Sequence, residues 1–224
     1  MRATTLRSTW VFPVVGLVLA VLGAVLTNLT VESDWSSTLE SYVSNSYTFL
    51  SVLFITIPFA QAFGHEYRDG TMRLTLSLFP NRRNVFAAKL LVPAVIAVIA
   101  ATLSGLAVAA VGWSSGHVTG SDQLVPVLLR IVGFTLMWGL LVAAFTVITR
   151  NLAAGITGVL IWSLLVEQLL GLLHTVVERI DEYLPLQNGT VWMSNGNVRS
   201  GVVMLIPTLA ITAVAYVRFL RSDA

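Results

Sequence analysis

Long apolar runs separated by short polar stretches dominate the chain, and several extend for about 20 residues without a charge. A helix needs about 20 mainly apolar residues to cross the roughly 30 Å hydrocarbon core of a bilayer. We therefore expect an all-α, polytopic membrane protein whose residues 1–224 form a single transmembrane domain, and an even number of spans places both termini on one side. The six predicted spans are about Trp10–Leu29, Tyr42–Phe63, Leu90–Trp113, Pro126–Thr149, Leu152–Leu173 and Gly201–Leu220.

The polar stretches between the spans differ in length. The turn at Arg150 and Asn151 is so short that the fourth and fifth spans should form a tight antiparallel hairpin. Before the last span, apolar residues recur at helical spacing up to Leu184, and Pro185 is expected to end that element. The following sequence, QNGTVWMSNGN, is rich in turn residues. We predict a short amphipathic helix here that lies at the outer interface or dips into it.

Composition and charge support a membrane location. The chain is 56% hydrophobic and only 11% charged, whereas soluble domains have about 25% charged residues. Its net charge of +2 is too small to predict a nucleic-acid partner. Ten of the thirteen basic residues fall on one face of the predicted topology, which indicates that this face and both termini are cytoplasmic. Basic residues beside spans also predict contact with lipid headgroups.

The polar segment Gly64–Lys89 carries five of the basic residues and separates the second and third spans. Its start continues the second span beyond the membrane, and Gly70 should break or bend the chain. Met72, Leu76 and Phe79 lie at i, i+4 and i+7, which predicts a short helix with an apolar face. The same stretch alternates with period two, so the pattern alone leaves a strand open.

The sequence lacks the motifs of a nucleotide-binding enzyme or a zinc protease. A P-loop requires a Lys followed by Ser or Thr to hold phosphate and magnesium, but the single Lys of this chain, Lys89, precedes Leu90. No HExxH motif is present, and the three His are scattered. We expect no catalytic residue, metal or cofactor in this chain itself.

The Gly64–Lys89 segment resembles the signature of ABC-2 type transporter permeases. These carry an acidic residue after the second span, a Gly-Thr pair, a short helix, a Pro followed by Arg, and a Lys that opens the third span. The resemblance implies that the short helix couples the permease to a separate ATPase subunit that binds ATP and Mg²⁺. The residues expected to form this coupling element are Glu66, Arg68, Asp69, Gly70, Thr71, Met72, Arg73, Leu76, Pro80, Arg82 and Arg83. The alternative is a basic loop that only fixes topology and binds headgroups.

Two further groups of residues stand out in the spans. Glu167 is a carboxylate in the fifth span, which predicts either a residue of the transport path or a structural group paired with a neighbour such as Arg130. Small residues at regular spacing mark close-packing faces on the first and fifth spans. The family resemblance implies that these spans meet at a dimer interface. The small residues are Gly16, Ala20, Gly23 and Ala24 on the first span, and Ala154, Gly155 and Gly158 on the fifth.

These observations favour a bacterial cytoplasmic-membrane subunit of an ATP-binding cassette exporter. By resemblance, it would dimerise with a second copy or a related permease and move an amphipathic small molecule, peptide or lipid. Two other classes stay open at this point. One is an ATP-independent transporter or channel with Glu167 as its coupling group, and the other is a non-transporting membrane scaffold.

Overall fold

The computed structural model describes residues 3–30, 38–47, 49–78, 81–118, 122–172 and 180–221. These ranges are helical almost throughout and contain no strand, so the all-α prediction is confirmed. A π-helical turn, Trp162–Val166, joins two of the helices, and a 3₁₀ turn, Ile180–Tyr183, precedes another. The α-helices are α1 Ala3–Thr30, α2 Leu39–Ser46, α3 Phe49–Asp69, α4 Met72–Leu78, α5 Arg82–Ser114, α6 Leu124–Thr149, α7 Leu152–Ile161, α8 Glu167–Leu172, α9 Pro185–Asn195 and α10 Val198–Arg221.

Six helical segments are long and apolar enough to cross a membrane, as the sequence predicts. The second span differs from the prediction at its start. The apolar run from Tyr42 divides into two helices, because α2 ends at Ser46 and α3 begins only at Phe49. Thr38 caps α2 by accepting from the Ser41 N–H at 3.4 Å. Hydropathy alone missed this break, since it does not register the local hydrogen bonds that start and end a helix.

Helices α3 and α6 form the centre of the bundle, and α1, α7 and α10 lie towards its outside. The two central helices approach closely at Gly139. A Cβ atom at this position would lie 2.4 Å from Cε2 of Phe59, which is itself fully buried. Glycine is therefore required here by the neighbouring ring, and the contact fixes the spacing between α3 and α6.

The small residues of the first and fifth spans pack within the chain. Gly16, Ala20, Gly23 and Ala24 are all buried, and a Cβ on Gly16 would lie 2.8 Å from the Ser51 carbonyl of α3. The apolar side chains that α1 exposes are large and lie on its other side. These small residues thus pack inside the chain, as predicted for a close-packing face, and their place at a dimer interface stays a prediction.

The fifth span makes the same kind of contact with α6. Arg150 adopts a left-handed conformation with φ 55°, and Asn151 caps α7 by accepting from the Ala153 and Ala154 N–H groups at 2.9 and 3.2 Å. This turn produces the expected hairpin of α6 and α7. Gly155 faces Thr146 across it, and Gly158 faces Phe145.

The segment Pro185–Asn195, before the last span, is helical where the sequence predicts turns. Pro185 begins α9 instead of ending a preceding helix, because a proline at the first helical position needs no N–H acceptor and already has a helical φ. Gly196 ends α9 in the left-handed region, with φ 70°. The predicted helix upstream of Leu184 falls mostly on residues 173–179, which lie outside the described residues. A short helix is therefore present before α10, and it lies after the predicted one in the sequence.

The contact between Gly155 and Thr146 yields a stability prediction. A Cβ on Gly155 would lie 1.9 Å from Oγ1 of Thr146, so Gly155→Val should force the α6–α7 hairpin apart. Overpacking of this kind costs about 1–3 kcal/mol. The thermal unfolding midpoint of the detergent-solubilised protein should fall. Ala153→Val, at an exposed position of the same helix, is the matched control and should leave the midpoint nearly unchanged; equal shifts in both variants would contradict this packing.

Candidate functional site

The short helix α4 is set off from α3 by a glycine turn. Gly70 has φ 66°, and no atom lies within 4 Å of the position its Cβ would take. Glycine is thus favoured here by backbone conformation and not by crowding. The Thr71 N–H then donates to the Glu66 carbonyl at 3.1 Å, which closes the end of α3 before α4 begins. This turn redirects the chain so that α4 stands as a separate element at the end of the bundle.

An ion pair joins the two spans that flank α4. The Lys89 ammonium of α5 donates to the Glu66 carboxylate of α3 and, at 3.0 Å, to the Ala62 carbonyl. The same ammonium lies 5.6 Å from the centroid of the Phe63 ring. The side chains of Lys89 and Glu66 are 12% and 27% exposed, so water screens the pair less than a surface pair. The pair holds the bases of α3 and α5 together.

An aromatic cluster and a second cation extend this base to α10. Phe63, Phe86 and Phe219 pack with ring centroids 5.4–6.0 Å apart, and Tyr216 lies 5.2 Å from Phe86. Arg82, at the start of α5, donates to the Leu220 carbonyl at 2.8 Å and so satisfies a backbone group at the end of α10. Three spans are thereby fixed to one another next to α4.

The surface of α4 combines apolar and charged groups. Leu74 and Leu78 are 61% and 66% exposed and lie one helical turn apart. Beside them, Arg68 and Asp69 are exposed and bond to each other at 3.0 Å, and Arg83 is exposed near the start of α5. Large exposed leucines on a helix beyond the spans are typical of a protein contact surface. We call Leu74, Leu78, Arg68, Asp69 and Arg83 the α4 surface.

Two residues of the predicted coupling element do not belong to the α4 surface. Met72 is 7% exposed and belongs to the apolar core, so it holds α4 on the bundle and is not available to a partner. Thr71 is exposed at the start of α4, where its carbonyl accepts from the Thr75 N–H at 3.0 Å. The side chains of Arg73 and Leu76 lie outside the described residues, as does Pro80. Of the predicted face of Met72, Leu76 and Phe79, only the side chain of Met72 is among the described residues, and it is buried. The exposed leucines among the described side chains of α4 are Leu74 and Leu78.

A cleft of about 740 Å³ lies between α3 and α5 beneath α4. Its walls are largely apolar, including Pro58, Val92 and Pro93, with a few polar groups such as His65 and Gln61 near the ion pair. Mainly apolar walls with few polar groups are usual for sites that hold small amphipathic molecules. Among the described residues, no group of three or more His, Asp or Glu side chains is placed to hold a metal ion.

Glu167 lies at the opposite end of the bundle and serves as a cap for α9. Its carboxylate accepts from the Leu186 N–H at 2.9 Å, from the Gln187 N–H at 2.8 Å and from the Trp162 indole at 2.9 Å. The residue is 2% exposed. A buried negative charge at a helix N-terminus is stabilised by the free N–H groups and by the helix dipole. The surroundings of Glu167 therefore support a structural role.

Arg130 pairs with Glu40 and not with Glu167. The guanidinium of Arg130, on α6, donates to the Glu40 carboxylate of α2, and both side chains are largely buried. A Cβ on Gly196 would come within 2.9 Å of the same guanidinium, so Arg130 also lies against the end of α9. Sequence reasoning missed this pair because it placed Glu40 in an outer loop. The position of Glu40, two residues before the predicted second span, was the available signal.

The described architecture is that of a polytopic membrane protein, with six candidate spans and a short helix between the second and third. Residues 5–166 match the family model described as ABC-2 family transporter protein, which is more than half of the chain. The chain belongs to this family, and the resemblance of its Gly64–Lys89 segment is confirmed. Family membership makes it a membrane transport subunit and implies association with ABC ATPase subunits. No curated protein matches the chain significantly.

The three hydrogen bonds of Glu167 lead to a prediction at this end of the bundle. Glu167→Ala should lower the unfolding free energy by about 3 kcal/mol, because buried N–H groups lose a charged acceptor. Glu167→Gln retains one accepting oxygen and should cost less. Thermal unfolding of the purified protein measures both. Gln168→Ala, at the exposed neighbouring position, should have little effect, and a stable Glu167→Ala variant would refute the capping role.

Proposed function

We propose that this chain is the permease of an ABC exporter, which works as a dimer with a second copy or a related permease. Two separate ATPase subunits would supply ATP and Mg²⁺ binding. Membership in the ABC-2 family supports this proposal, and the observation that carries it is the α4 surface. It presents two exposed leucines of α4, which no other described segment covers, beside charges at the end of α3 and the start of α5.

In this proposal α4 is the coupling helix. Leu74 and Leu78 enter an apolar groove of the ATPase, and Arg68, Asp69 and Arg83 contact its rim. This division into an apolar centre and a charged border is common at protein interfaces. The α4 surface would thus provide both affinity and orientation.

The base beneath α4 would transmit the ATPase motion. The Glu66–Lys89 pair links α3 to α5, and Arg82 links α5 to α10. A displacement of α4 therefore reaches three spans together, which suits a rigid-body change between two arrangements of the membrane domain. The same proposal includes the prediction that residues 1–224 form a single transmembrane permease domain.

The substrate class in this proposal is an amphipathic small molecule, peptide or lipid. The cleft between α3 and α5 supports it, since its walls are mainly apolar with polar groups at one end. The charge distribution supports a bacterial cytoplasmic membrane, with α4 and both termini in the cytoplasm. The position of Glu167 disfavours the ATP-independent alternative, because backbone N–H groups already occupy both oxygens of the residue that would couple protons.

The role of the α4 surface can be tested by substituting aspartate at either of two neighbouring positions of α4. Leu78→Asp introduces a charge into the proposed apolar contact, whereas Ser77→Asp introduces the same charge at an adjacent exposed residue of α4. Tagged protein is purified from native membranes, and the co-purifying ATPase is quantified. Loss of one buried leucine contact corresponds to roughly tenfold weaker binding or more. We expect Leu78→Asp, and likewise Leu74→Asp, to lose the ATPase.

The two parts of the proposal fail in different ways. If the wild-type protein is stable and monodisperse but brings down no ATPase, the exporter assignment is wrong. If the wild type brings down an ATPase and Leu78→Asp retains it as well as Ser77→Asp does, the exporter assignment survives and α4 is not the docking element.

A further inference from the structure

Three arginines converge on a cleft that neither the transport proposal nor the α4 surface uses. Arg150, in the turn between α6 and α7, and Arg218 and Arg221, in the last turn of α10, line a space of about 680 Å³. The remaining lining is apolar and comes from α10: Ala213, Val214 and Val217. The cleft lies at the same end of the bundle as α4, since α10 ends where Arg82 bonds to Leu220.

The three guanidinium groups have no carboxylate partner within the part of the chain that the structure describes. The ion pairs found there are Arg68–Asp69, Lys89–Glu66, Arg130–Glu40 and Arg199–Glu182. Arg150 and Arg218 are both close enough to the Tyr67 hydroxyl to interact with it electrostatically. Glu66 also interacts electrostatically with that hydroxyl, but its carboxylate forms an ion pair with Lys89. Like charges gathered in this way repel each other, and a bound anion would remove that repulsion.

An exposed apolar stripe runs along α10 directly into this cleft. Ile206, Leu209, Val214 and Val217 are all exposed and recur at helical spacing towards Arg218. From Ile206 to Arg218 the helix rises about 18 Å, at about 1.5 Å per residue. This is close to the hydrocarbon depth of one leaflet, about 15 Å or half of the roughly 30 Å core. The cleft therefore combines a cationic end at headgroup level with an apolar track of acyl-chain length.

We propose that this cleft binds one anionic phospholipid. Its phosphodiester group would lie among Arg150, Arg218 and Arg221, and an acyl chain would follow the exposed stripe of α10. Guanidinium groups form paired hydrogen bonds with phosphate oxygens, which gives the site its preference for this headgroup. The assignment does not depend on the exporter proposal, since it requires only a bilayer around α10.

The apolar stripe distinguishes a lipid from the other anionic ligands. A soluble phosphate would use the three arginines but gain nothing from Val214 and Val217, which are both exposed. A docked protein would have to cover a stripe that continues to Ile206, well inside a span. A phospholipid can contact the arginines with its phosphate and the apolar stripe with an acyl chain at the same time.

The test counts lipids bound to the purified full chain. Protein in a neutral detergent is titrated with dioleoyl-phosphatidylglycerol or with dioleoyl-phosphatidylcholine, and bound lipid is measured by native mass spectrometry. We expect the anionic lipid to bind more tightly to the wild type. Each arginine near a membrane surface contributes about fivefold, so Arg150→Gln/Arg218→Gln should weaken binding about 25-fold. The matched control is Arg68→Gln/Arg83→Gln, which removes two charges at the same end of the bundle, and it should change binding much less.

Other results would overturn the proposal. Equal losses in the two double variants would show a general charge effect, and competition by inorganic phosphate at the same concentration would assign the cleft to soluble anions. Unchanged lipid binding with loss of a co-purifying ATPase would make it a protein contact. Should the double variant not fold, a photoactivatable phosphatidylglycerol is cross-linked to the wild type. Labelling at residues 150 and 206–221 supports the site, and labelling elsewhere refutes it.

Discussion

Backbone polar groups that are buried away from water must find partners inside the protein, and this constraint governs the end of the bundle opposite α4. A helix N-terminus leaves its first N–H groups without intrahelical acceptors. At α9, Pro185 removes one such donor, and the Glu167 carboxylate accepts from the next two. The same carboxylate accepts from Trp162 across the π-helical turn. The end of the fifth span and the start of the outer helix are therefore one hydrogen-bonded unit, built on a charge that the fifth span would otherwise have no reason to carry.

The opposite end uses its charges in a different way. Lys89 and Glu66 pair between two spans and so fix the spacing between α3 and α5; removing either partner would leave the other charge largely buried without its counter-ion. Met72 anchors α4 to that base, whereas Leu74 and Leu78 point away from it. The exposed leucines are costly in water, and a partner that covers them accounts for their presence better than an isolated loop does. A firm base and an uncovered apolar surface are the two properties that a coupling element needs.

Hydropathy and charge were sufficient to predict the number of spans, the hairpin at Arg150 and the place of α4, because each depends on long runs or on local turn chemistry. The contacts between distant segments were not predictable in the same way. The sequence suggests Glu167 as a partner for Arg130, because both residues are predicted near the same ends of their spans. In the structure, α2 instead brings Glu40 to Arg130. Likewise, Pro185 is compatible with a helix end or a helix start, and the acceptor for the N–H groups after it comes from Glu167, a residue distant in the sequence. Pairings of this kind depend on which helices become neighbours in three dimensions.

The burial of the small residues restricts how two permeases could meet. Gly16 and Gly155 are already occupied by Ser51 and Thr146 of the same chain, so they cannot also admit a second backbone at close range. What α1 offers to its surroundings is a row of large side chains, Val14, Val18, Leu22 and Leu26 among them. Large apolar side chains resemble lipid tails, so an interface built from them gains little from hydrophobicity alone and relies on shape and on contacts outside the bilayer. In the proposed dimer, the attached ATPase subunits would therefore contribute substantially to holding the two permeases together.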